Sequence, residues 1–135
     1  MTQQTIARRA MHLALGHLDE YSVVEAWSGY FHPTDPSGTR PLELGSTAAD
    51  QRASAHALVA GLRRRLARTP TLFAFYVGRD DDRFRDENEQ LDRELRAAGV
   101  PHVFRVYPGA HTQALWNLHA REWLGLALDH LARPR

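Results

Sequence analysis

Apolar positions along the chain alternate between helical and strand-like spacing. Residues 5–18, TIARRAMHLALGHL, carry Ile6, Ala7, Ala10, Met11, Ala14, Leu15 and Leu18 on one side of a predicted helix. Residues 22–28, SVVEAWS, are short and β-branched and stop at Gly29, which predicts a strand. Residues 29–46 hold three prolines and several other breakers, so a long loop is expected, of the kind that often carries function. Ser46 or Thr47 can cap a helix running to about Ala67, with Ala48, Ala55, Leu58, Val59, Leu62 and Leu66 inward.

The second half repeats the alternation more strongly. Residues 71–77, TLFAFYV, form a nearly continuous apolar run between Pro70 and Gly78, as a strand buried on both faces of a parallel sheet would. Residues 84–98 set Phe84, Leu91, Leu95 and Ala98 in one stripe among charges, a surface helix ended by Gly99 and Pro101. Residues 102–107, HVFRVY, read as a further strand. Residues 113–131 read as a last helix with Leu115, Trp116, Ala120, Trp123, Leu124, Ala127 and Leu131 inward. Strands alternating with helices imply right-handed βαβ units, about three parallel strands and an α/β fold in three layers. A chain of 135 residues is expected to form one domain.

Composition narrows the chemistry mainly by exclusion. A net charge of +1 gives no basic field for nucleic acid. Arg63, Arg64, Arg65 and Arg68 sit where cations suit a helix C-terminus. The absence of cysteine removes disulfides, thiolate metal sites and a cysteine nucleophile, and the absence of lysine removes a Schiff base. The eight histidines show no H-x3-H or H-E-x-x-H arrangement, so neither a metal nor another cofactor is expected. No apolar run approaches the roughly 20 residues of a membrane span. The first ten residues, MTQQTIARRA, lack the apolar core of a signal peptide. A soluble, cytoplasmic protein without membrane contact is the expectation.

In parallel α/β sheets the chemistry collects beyond the C-terminal ends of the strands. Here GRDDDRF (residues 78–84) follows one strand and PGAH (residues 108–111) follows the next. A carboxylate from Asp80, Asp81 or Asp82 could fix the tautomer of His111 and stabilise its imidazolium. The order of acid, then histidine, on consecutive strands is that of the Ser…Asp/Glu…His triad of α/β-hydrolases. Trp27, Tyr30 and Phe31 are candidates to line an acyl or aromatic substrate pocket, whereas Trp116 and Trp123 read as core.

The run FYVGRDDDRFRDENEQLDRELRAAGVPHVFRVYPGAHTQALW resembles the closing segment of the esterase branch of the α/β-hydrolases. That branch includes feruloyl-esterase-like, S-formylglutathione-hydrolase-like and mycolyltransferase-like proteins. The shared order is strand, G-x-x-D, amphipathic helix, GVPH, strand, PGGH and an aromatic-rich helix, with Ala110 replacing the second glycine of PGGH. ALGHLDEYSVVEAWSGYF resembles the segment after the nucleophile helix. By position, the resemblance implies His111 as catalytic base and Asp81 as acid, with Asp80 and Asp82 one residue of slip away.

The same resemblance implies a missing third member. An ungapped extension from Ala10 sets T-Q-Q-T-I, residues 2–6, where the G-x-S-x-G elbow belongs, with Gln4 at the serine position. Ser28 lacks the flanking glycine and following helix of an elbow. Thr2 could act only as an N-terminal nucleophile, which the α/β pattern does not support. The expectation is thus the C-terminal portion of an α/β-hydrolase, a single partial domain lacking the N-terminal strands and the elbow. It would carry acid and histidine for hydrolysis of, or acyl transfer from, a small-molecule ester. The alternatives are a non-catalytic pseudo-enzyme or binding remnant, or one half of a split hydrolase. In the family, the strand at residues 22–28 pairs with the serine-bearing strand. An unpaired edge there would favour a homodimer or a complementing N-terminal half.

Overall fold

A computed structural model describes residues 10–11, 13–29, 31 and 55–133. The expectations for Thr2, Gln4, Tyr30, the cap at Ser46 or Thr47 and the inward face of Ala48 lie outside these residues. The described elements are β1 (Val23–Trp27), α1 (Ala55–Arg68), β2 (Leu72–Gly78), α2 (Arg85–Ala97), β3 (Val103–Tyr107) and α3 (Gln113–Leu131), preceded by helical residues at 10–11 and 13–16. The three strands form one parallel sheet in the order β1-β2-β3. Trp27 pairs with Tyr76, and Gly78 with Tyr107.

The continuous apolar run of β2 reflects its central place. Its residues Phe73 to Val77 are no more than 1 % exposed, because alternate side chains feed two different cores. Phe73 and Phe75 meet Met11, Leu15 and Leu18 of the N-terminal segment, Val59, Leu62 and Leu66 of α1, and Leu91 and Leu95 of α2. Ala74 and Tyr76 face the other way, onto Leu115 and Trp123 of α3. Helices therefore cover both faces of the sheet, the three-layer α/β arrangement expected.

The last helix departs from its predicted face. Leu115 and Trp123 are buried, but Leu124 and Leu131 are 54 % and 57 % exposed. Apolar residues surround much of α3, so periodicity alone does not define one inward stripe. No helix among the described residues is long and apolar enough to cross a membrane.

Candidate active site

The loops after β2 and β3 are drawn together by backbone. Arg79 N–H donates to the Tyr107 carbonyl at 2.7 Å and Asp80 N–H to the Gly109 carbonyl at 2.9 Å, so the ladder continues past the ends of both strands. Two glycines permit this approach. A Cβ on Gly78 would lie 2.3 Å from the Gly109 carbonyl oxygen, and Gly109 itself has φ +132°.

That contact sets Asp81 beside His111. Asp81 Oδ2 lies 2.8 Å from His111 Nδ1. The Asp81 side chain is 1 % exposed and that of His111 35 %. A carboxylate so deeply buried needs compensating hydrogen bonds. Its second oxygen accepts the Phe84 N–H at 3.2 Å, while its backbone carbonyl accepts the N–H of Arg85, the first residue of α2. Asp80 and Asp82 are exposed, and neither carboxylate approaches the imidazole.

The imidazole is held between two aromatic rings. The Phe84 ring centroid is 4.7 Å away, and the Trp116 indole stands edge-on at 5.1 Å. Among the described residues nothing bonds to Nε2. With Nδ1 donating to the carboxylate, Nε2 is left as the basic nitrogen, the tautomer that proton transfer from an attacking hydroxyl requires.

A second Asp–His pair provides an internal contrast. His102 Nε2 lies 2.8 Å from Asp92 Oδ1, but its Nδ1 lies 2.8 Å from the Val100 carbonyl, and the side chain is 5 % exposed. Both ring nitrogens of His102 are engaged, next to the N-terminal end of β3, and Arg96 grips the same carboxylate. Burial works to raise the Asp92 pKa, but Arg96 and His102 outweigh it and hold it below the ordinary range. The pair ties α2 to β3 and leaves no nitrogen for chemistry.

Trp27 and Phe31, two of the residues predicted to line a pocket, both border one cleft of about 370 Å³ along β1, from opposite faces of the sheet. Trp27 lies on the α3 side of the sheet, 6.1 Å from the Tyr76 ring, and its indole N–H donates to Glu25. Phe31 is 1 % exposed and packs edge-on against Phe75 on the opposite core. Tyr30 is outside the described residues. Trp116, read as core, is half-buried against the Tyr76–Leu115–Trp123 cluster and also stands beside His111, and Phe84, read as part of a helix stripe, precedes α2 and covers the imidazole. Phe84 is three residues after Asp81 and Trp116 five after His111; this proximity to the candidate pair was the available signal.

Three further residues shape the rim. Ser28 directly follows β1 with φ +55°, the one positive φ of a non-glycine among the described residues. Its Oγ accepts from the Trp116 indole N–H at 3.3 Å, rather than bonding its own loop. Asn88, fully buried, donates to the Gly29 carbonyl, and Glu87 accepts the Phe31 N–H. Thus α2 grips the backbone that leaves β1. The N-cap of α3 is Thr112, whose side chain accepts from Leu115 N–H, so His111 is not spent on capping. Among the described residues no group of three or more metal-ligating side chains converges.

Comparison with known proteins bears on the fold. A solved structure described as a ferulic acid esterase superposes with a TM-score of 0.64 at 23 % sequence identity. The match covers 84 % of this chain and 43 % of that one, so the chain spans less than half the length of its neighbour. No protein-family model matches the chain, and no curated protein does. What the chain shares with that neighbour is its fold: three parallel strands flanked by helices in an esterase-like α/β arrangement.

Proposed function

We propose that this chain supplies the acid and the base of a serine-esterase-type acyl transfer, with Asp81 and His111 in those roles. The observation that carries the reading is the 2.8 Å contact between a buried carboxylate and an imidazole whose other nitrogen has no bond from a described residue. In the reaction a hydroxyl attacks an ester carbonyl while His111 Nε2 takes its proton. Asp81 stabilises the imidazolium, which then protonates the departing alkoxide as the ester C–O bond breaks. Water repeats the cycle on the acyl intermediate. The proposed substrate is a small-molecule ester.

No described hydroxyl bonds to His111. Ser28 is 5 % exposed, and its oxygen is engaged by Trp116. The nucleophile is therefore assigned to a segment beyond the described residues, with a complementing chain as its proposed source. Among the described residues β1 pairs only with β2, and its other edge supports such docking. It borders a cleft of about 370 Å³ lined by Met11, Ala14, Val24, Ala26 and Phe31, among others.

Turnover of p-nitrophenyl acetate tests both parts. Residues 1–135 alone are expected to be inactive, and a co-expressed segment carrying a strand and a G-x-S-x-G elbow is expected to restore activity. His111→Ala should abolish the restored activity. Activity of the isolated chain that is lost in His111→Ala would place the nucleophile within it. Restored activity indifferent to His111→Ala would sink the catalytic reading. A binding remnant is the second reading, favoured by Gln4 at the position implied for serine; tight ester binding with no turnover in any combination would select it.

A further inference from the structure

The α3 helix carries an apolar surface that the fold does not use. Leu118, Leu124, Leu128 and Leu131 are between 54 % and 73 % exposed. Leucines at this exposure on one helix are a costly surface in water unless something covers them. Beside Leu118 runs a groove of about 700 Å³ between α3 and β3, which among the described residues pairs on one side only, bordered by Val103, Arg105, Leu118, Arg121, Gly125 and Asp129; Leu131 faces another cleft, beside Ser22.

Spacing on this face indicates what fits it. Leu118, Arg121, Gly125, Leu128 and Asp129 fall at intervals of three and four, so they share one side of the helix. Gly125 lies at the centre, and a Cβ built there meets nothing within 4 Å, so another helix can approach its backbone closely. Arg121 stands one turn before Gly125, and Asp129 one turn after it. Two such helices, antiparallel and related by a twofold axis through Gly125, bring Arg121 of each copy opposite Asp129 of the other. Leu118 of each then meets Ala132 of its mate. The charge pattern complements itself, as an isologous contact requires.

We propose that α3 is the interface of a homodimer, formed by antiparallel α3–α3 packing about Gly125. Leu118 and Leu128 supply apolar burial on this face, and the two Arg121–Asp129 pairs set register and orientation. This surface is separate from the β1 edge and from the Asp81–His111 pair, so it stands whether or not the catalytic reading does.

Sedimentation equilibrium of residues 1–135 and their variants provides the test. The chain is expected to dimerise at micromolar concentration. Arg121→Asp and Asp129→Arg should each raise the dimer Kd by roughly tenfold or more, because two pairs per dimer turn from attractive to repulsive. The double variant should recover dimerisation. Gly125→Leu, which occupies open space on a helix and so preserves folding, should yield a monomer with unchanged circular dichroism. A chain that stays monomeric to high micromolar concentration overturns the proposal, including one that binds liposomes instead. So does a dimer indifferent to both charge reversals and to Gly125→Leu, which would place the contact at another surface such as the β1 edge.

Discussion

Replacing Gly78 with alanine tests whether the approach of two loops builds the Asp81–His111 pair. The new methyl would sit 2.3 Å from the Gly109 carbonyl oxygen, 2.9 Å from its carbon and 3.1 Å from Leu115 Cδ2. Real Cβ atoms keep about 3.0 Å or more, so the 108–110 loop must retreat by at least 0.7 Å. The carbonyl cannot simply turn aside, because it accepts the Asp80 N–H at 2.9 Å. Overpacking of this kind costs about 1–3 kcal/mol, and a weakened hydrogen bond adds about 0.5–1.5 kcal/mol. A total loss of about 2–4 kcal/mol is expected, which lowers a urea midpoint by roughly 1–2 M for a domain of this size. Gly61→Ala is the control. It lies in α1, where an added methyl meets only the Arg65 side chain at 3.6 Å or beyond. There the gain in helix propensity should stabilise the fold by about 1 kcal/mol. In Gly78→Ala, the His111 Nδ1 proton should also exchange faster in ¹H–¹⁵N spectra as the pair is pulled apart. The reasoning fails if Gly78→Ala shifts stability by less than about 0.5 kcal/mol, or if the His111 proton is as well protected as before.

Other substitutions address neighbouring parts of the same scaffold. Asp81→Asn should keep the fold but favour the wrong tautomer of His111, reducing complemented esterase activity by about 10³–10⁴-fold, as measured by kcat. Asn88→Ala should destabilise by about 1–3 kcal/mol in urea unfolding, since it strips the Gly29 carbonyl of its side-chain donor, while the Phe84 carbonyl keeps the backbone N–H of residue 88. The ion cluster of His56 with Glu87 and Glu94 ties α1 to α2 and predicts a two-sided pH profile. Burial works to lower the His56 pKa, but the two carboxylates outweigh it and raise it above 6.5. Its stabilisation is complete below that ordinary value and is lost as pH rises through the folded-state value. Burial likewise works to raise Glu94, but His56 and Gln90 outweigh it and hold it below 4.5. That contribution is present above pH 4.5 and is lost as pH falls through the lowered value. Thermal melts across pH should therefore show a plateau with both flanks falling, and His56→Gln should flatten the alkaline flank; an unchanged alkaline slope in that variant would refute the assignment.

The sheet was legible because its strands are written in a binary code. The TLFAFYV run can only be central when both faces are covered, and Gly78 and Gly99 mark the ends of β2 and α2 to within two residues. The pairing of an acidic loop with His111 followed from parallel topology, which brings the ends of consecutive strands together. Choosing Asp81 from three adjacent aspartates took the G-x-x-D resemblance; in the structure it is the buried one, bonded to the Phe84 N–H as the chain enters α2. The inward face of α3 was legible in part: Leu115, Trp116 and Trp123 join the core, but Leu124 and Leu131 are exposed, because leucines occur on several sides of that helix. Not legible were Asn88 and Glu87, which act on backbone groups 59 and 56 residues away. Such contacts leave no periodic trace. Helical spacing placed Trp116 in the core, and it does pack there, but spacing gave no sign that its indole also spans the distance between Ser28 and His111.

Asp81 and His111 are separated by a single crossover, β2 to α2 to β3. Both belong to one supersecondary unit, and so do the glycine contact and the amide bonds that align them. The alignment of carboxylate against imidazole is therefore inherited with this short stretch of chain. Gene fission or recombination upstream of Leu72 would leave that alignment untouched, so under the proposed function a nucleophilic half could be exchanged without rebuilding the Asp81–His111 pair.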